Sequence, residues 1–82
     1  MTITNTKLTD AYLHALNNMP NTKHGLLART ADRMAGEAFD GALYEGIKPL
    51  SPDAMMDIES AIFAGLCKSN GVDWRYLLNA AA

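Results

Sequence analysis

Cysteine is nearly absent from this chain, and that removes two common ways of stabilising a small domain. Cys67 stands alone, so no internal disulfide can form. A structural zinc needs about four Cys or His ligands, and only Cys67, His14 and His24 are available. No metal or cofactor is therefore expected. Long apolar runs are missing too. Nothing approaches the roughly 18 residues of a membrane span, and the opening stretch MTITNTKLTD lacks the run of about 7 to 15 apolar residues that a secretory signal uses. With a single thiol, these absences give the expectation of a soluble, cytoplasmic protein without membrane contact.

Positive charge is also scarce, with seven Lys and Arg against nine Asp and Glu, a net charge of -2. The charge is unevenly spread. Residues 1–35 carry +2, residues 64–82 carry +1, and the stretch 36–63 carries -5, with Lys48 set against Glu37, Asp40, Glu45, Asp53, Asp57 and Glu59. An acidic middle weighs against non-specific nucleic-acid binding, yet it is too sparse for a mimic of DNA.

What is present is helical pattern. Eighty-two residues without repeat, linker or low-complexity tract make one domain, 1–82, and a chain this short buries only about 60 to 65% of its unfolded surface. No alternating stretch argues for a strand. Leu8, Tyr12, Ala15, Leu16 and Met19 fall on one face of a first helix over 6–18, which Pro20 stops. Asn21 or Thr22 caps a second helix over 23–45, whose apolar stripe reads Leu27, Ala31, Met34, Ala35, Ala38 and Ala42. Gly46 is expected to end it, and Gly36 or Gly41 to weaken or bend it. Phe39 and Leu43 lie off that stripe, so its second half is expected to bury a wider or rotated face.

Ser51, Pro52 and Asp53 make a strong start for a third helix over 52–69, with Met55, Ile58, Ile62 and Leu66 at helical spacing and Phe63 beside them. Gly71 closes it as a left-handed cap with Val72 packing back. Asp73 caps a short fourth helix over 74–80 that buries Leu77 with Trp74 or Leu78. The fold class is therefore all-α, a small single-domain bundle of about four helices.

Cys67, Gly71, Val72 and Leu77, within CKSNGVDWRYLL, resemble the small residue, turn glycine, branched aliphatic and anchoring leucine of the helix-turn-helix family. The resemblance covers residues 66 to 80 and implies a DNA-binding regulator built on residues 62–80 and acting as a dimer, with Arg75, Lys68, Arg29 and Arg33 as DNA contacts and Lys23 alongside. The pattern departs from the family where a recognition helix needs several polar or basic residues: Arg75 is nearly alone, and Asp73 would face phosphate. A tight binder uses about 6 to 10 phosphate contacts.

The remaining motifs carry less chemistry. Gly41 and Gly46 have phosphate-loop spacing, but Ile47 stands where the lysine belongs and Pro49 follows Lys48. Asp10 and His14 share a helix face as an i,i+4 pair, which reads as solvated surface. Cys67 reads as a small buried hydrophobe. No serine sits in a nucleophile elbow, so an enzyme is not expected.

Two groups suit protein contact instead. Trp74, Arg75 and Tyr76 are the residue types of binding hot spots, and three in succession turn through about 200° of a helix, too wide for all to be buried. Glu37, Asp40 and Glu45, with Asp53, Asp57 and Glu59, form a candidate acidic patch. The sequence thus leads to a non-enzymatic protein-binding module: an inhibitor, adaptor or regulatory subunit with a protein partner. Such small cofactor-free domains are frequent among phage and mobile-element products. Because a thin core without staples is often completed by self-association, a homodimer or higher oligomer is also expected.

Overall fold

The computed structural model describes residues 6–19 and 21–75. Three helices account for most of them: α1 (Thr6–Asn18), α2 (Lys23–Tyr44) and α3 (Pro52–Ser69). Among the described residues there is no strand. Each helix packs on both others, so the architecture is an all-α three-helix cluster. The expected fourth helix falls mainly on residues outside the described set, and the part that is described, Trp74 and Arg75, forms a turn.

Local chemistry explains the boundaries. The Thr22 hydroxyl accepts from the Gly25 N–H at 3.0 Å and donates to the Met19 carbonyl at 3.0 Å, so one side chain caps α2 and ties it to the end of α1. Ser51 caps α3 by accepting from the Ala54 N–H at 3.2 Å, with Pro52 in the first turn and Asp53 beside it.

Both long helices end in the same motif. At α2, Gly46 has φ 84°, Ile47 N–H reaches the Ala42 carbonyl at 2.9 Å and Gly46 N–H the Leu43 carbonyl at 3.0 Å. At α3, Gly71 has φ 68°, Val72 N–H reaches the Cys67 carbonyl at 2.9 Å and Gly71 N–H the Lys68 carbonyl at 3.2 Å. This paired bonding is the Schellman cap, and its left-handed position favours glycine.

The core is made of small residues. Ala11 and Ala15 of α1 and Ala28, Ala31 and Ala35 of α2 are buried, and among the described residues the bulky side chains fully buried with them are Tyr12 and Phe63, beside Cys67. The two rings lie 5.5 Å apart at 49°, a tilted aromatic contact. Gly25 sets how closely the helices approach. A Cβ there would collide with the Met19 carbonyl oxygen, so the α2 backbone lies directly on the end of α1.

Several expectations need correction. The buried stripe of α2 is Gly25, Ala28, Ala31 and Ala35, rotated from the expected one, and Met34 and Ala38 face solvent. The second half of α2 buries no wider face: Leu43 is exposed, and Phe39 and Ala42 are half-buried. In α3 the buried line is Ser60, Phe63 and Cys67, with Ile58 exposed. The pattern is common to both helices. Where the helices approach most closely small residues lie fully buried, and larger ones such as Leu27, Ile62 and Leu66 pack half-buried around them. Gly36 and Gly41 do not interrupt α2, which is helical throughout.

Two opposite glycine outcomes follow. Gly25→Ala forces the α1–α2 contact apart and is expected to cost about 3 kcal/mol, the upper end of the overpacking range. Gly36→Ala and Gly41→Ala meet open space and are each expected to add about 0.5 to 1 kcal/mol. Urea unfolding of the three variants would show both effects, and a neutral Gly25→Ala would refute the close-contact account.

Candidate functional site

The α2–α3 hairpin decides where the chemistry-bearing residues go. The two helices run antiparallel: Lys23 Nζ at the start of α2 donates to the Asn70 carbonyl at the end of α3, at 3.3 Å, and His24 Nε2 lies 3.4 Å from the Asp73 carbonyl oxygen. The acidic stretch is thereby carried to the hairpin tip, and Lys68, Asp73, Trp74 and Arg75 to the opposite end. The two groups singled out for protein contact do not share one site.

At the tip, residues that α2 and α3 do not bury surround an apolar notch of about 150 Å³. Phe39, Ala42 and Leu43 of α2, Ile47 and Leu50 of the connection and Met55 of α3 line it, and Lys48 and Pro49 complete it. Three of these large apolar residues are well exposed, Leu43 at 49%, Ile47 at 56% and Leu50 at 46%, and Tyr44 beside them is 94% exposed. Glu37, Asp40, Glu45 and Asp53 are all exposed. On α2, Asp40 is one turn from both Leu43 and Tyr44, and Glu37 is two turns from Tyr44. Asp40, Glu45 and Asp53 each lie within three residues of a side chain that lines the notch, so the apolar notch sits within an acidic stretch of the chain, with Lys48 its one charged lining residue.

Two members of the expected acidic face are placed differently. Asp57 is half-buried. Glu59 turns inward, its carboxylate accepting from the Tyr12 hydroxyl at 2.8 Å. Burial first, and the Asp32 carboxyl beside it, push the Glu59 carboxyl above the usual carboxylate range, although the Tyr12 bond opposes this. Burial and Glu59 likewise raise the Tyr12 phenol. Ser60 completes the polar seam between α1 and α3 by donating to Thr9 at 3.3 Å. Every buried side-chain nitrogen or oxygen among the described residues has a hydrogen-bond partner.

At the opposite end the Trp74 ring packs against the core and is half-buried. The exposed Arg75 guanidinium lies 5.8 Å from the Trp74 ring centre and 3.7 Å from Asp73, whose carboxylate also accepts the Arg75 N–H at 2.9 Å. These residues, with Lys68, line a broad open groove of about 560 Å³. Arg29 and Arg33 are exposed on α2. Tyr76 lies outside the described residues.

The remaining motifs occupy ordinary helix positions, with His14 half-buried on α1. His14 Nδ1 faces Asn18 Nδ2 at 3.5 Å, and Asp10 is exposed. Cys67 is fully buried, and burial pushes its thiol up to about 11, far from the thiolate a nucleophile needs. Among the described residues no three Asp, Glu, His or Cys group to hold a metal, and no helix is long and apolar enough to cross a membrane.

Sequence reasoning missed the notch, Gly25 and the Tyr12–Glu59 bond. The notch did leave a signal: Ile47 and Leu50 are large apolar residues inside a connection bounded by a glycine stop and a serine cap. Comparison with protein-family models, curated proteins and solved structures finds no match.

The raised Glu59 carboxyl has a definite sign. Protons bind it more tightly in the folded state, so its stabilising effect is full below its ordinary value of 4.5 and is lost as pH rises through the folded value. Glu59→Gln keeps an acceptor for Tyr12 and removes the charge. Its stability relative to wild type should therefore improve as pH rises from 4.5 and level off above the folded value. A constant difference across that range, in urea titrations at several pH values, would rule this out. Tyr12→Phe, which deletes the buried hydroxyl, should cost about 1 kcal/mol.

Proposed function

We propose that the protein is a non-enzymatic protein-binding module, an inhibitor, adaptor or regulatory subunit, and that it works by occluding or bridging a partner through the α2–α3 tip. One observation carries this reading: the size order of the fold is inverted at the tip. Alanines occupy much of the interior, while Leu43, Ile47 and Leu50 stand in solvent around a concave notch and Tyr44 is exposed next to Leu43 in the chain. Exposed apolar residues gathered within a polar border mark protein-contact surfaces, whereas scattered ones need no explanation. The buried thiol of Cys67 suits a reducing compartment, so the cytoplasm is the proposed location.

The DNA-reading alternative draws less support. Its principal contact, Arg75, is held by Asp73 and by the Trp74 ring, and the Gly71 turn before it is accounted for as a helix cap.

The test is site-specific photocrosslinking in the cells that make the protein. A photoreactive phenylalanine replacing Tyr44 should give one discrete adduct, and the same group at Ser69, exposed at the other end, should not. Adding Leu43→Ser and Ile47→Ser should remove the adduct with the melting temperature nearly unchanged, because truncating contact anchors costs more than about 1 kcal/mol of binding. No adduct at Tyr44, or equal adducts at both positions, would refute the tip as the contact surface.

A further inference from the structure

We infer that the occupant of the tip is a basic segment of another protein that seats one bulky apolar side chain in the notch. This inference rests on the protein-binding reading and names the chemistry of the partner.

The size of the notch sets the anchor. A dry apolar cavity of about 150 Å³ takes a benzene-sized group, and the notch has about that volume. One Phe, Leu or Met side chain fills it, and a row of anchors does not fit. Its lining from Phe39, Leu43, Ile47, Leu50 and Met55 offers such a side chain dispersion contact from both helices and the connection, with no polar partner required.

The acidic stretch sets the charge. Glu37, Asp40, Glu45 and Asp53 are exposed along the residues that form the tip. Against them stands Lys48 on the notch itself. Complementary charge steers encounter and excludes wrong partners. An acidic partner segment would be repelled, and so would a phosphate backbone or an anionic membrane surface. A second copy docking by a two-fold contact would bring two acidic stretches together. Lys or Arg on either side of the anchor matches the surface.

Selection from a library of random 15-residue peptides against the full chain tests this. The expected product is a set of sequences with Lys or Arg flanking a single Phe, Leu or Met. Their binding should fall at least tenfold on anchor→Ala, on Leu43→Ser with Ile47→Ser, and on Asp40→Lys with Glu45→Lys, all of which alter exposed positions. Raising salt should weaken it further.

Peptides that are neutral or acidic, but still lose binding on Leu43→Ser with Ile47→Ser, would overturn the basic partner and leave the tip as a binding surface. No enrichment, or enrichment that ignores both pairs of substitutions, would overturn the tip itself. Sedimentation of the chain alone covers the second-copy case: concentration-dependent association abolished by Leu43→Ser with Ile47→Ser would assign the notch to another copy.

Discussion

The direct seating of the α2 backbone on the end of α1 at Gly25 constrains everything else in this fold. With the Met19 carbonyl occupying the space of a side chain, no residue larger than glycine fits where α2 meets the end of α1. Ala11, Ala15, Ala28, Ala31 and Ala35 lie in the interior. Thr22 holds the contact in place, since its hydroxyl bonds both Gly25 and Met19. Close helix packing of this kind recovers in dispersion contacts some of what it gives up in buried apolar area.

The α3 helix then has one bulky wedge to contribute, Phe63, set against Tyr12. Tyr12 is fully enclosed, and an enclosed phenol needs an acceptor, so Glu59 is drawn inward to supply it. A residue that belongs to an acidic run in the sequence thus becomes part of the packing. The cost is a carboxyl whose ionisation is opposed by burial and by Asp32.

The same tight interior produces the surface. Large apolar residues that a roomier core would absorb are left outside, and those near the hairpin turn converge on one notch. Because the hairpin gathers residues 36–57 at one end and returns the chain to the start of α2, a charge imbalance along the sequence becomes a charge imbalance in space. Apolar anchors and acidic stretch coincide there for a topological reason, and the proposed binding role grows from that coincidence.

Helix positions were legible in the sequence because they depend on near neighbours. Thr22 and Ser51 as caps, Pro52 in a first turn, and Gly46 and Gly71 as left-handed stops each act within four or five residues, and all appear where the pattern places them. The all-α class follows from the same local chemistry. Which face of each helix turns inward was not legible. Apolar periodicity favours Met34, Leu43 and Ile58 as readily as Ala28 or Ser60, and only the distance between helices, set at Gly25, decides in favour of the small residues. Nor can periodicity bring Phe39 and Met55 to one notch, separate Trp74 from Glu37, or aim Glu59 at Tyr12. Those relations join residues far apart in the chain, and they exist only once three helices share one interior.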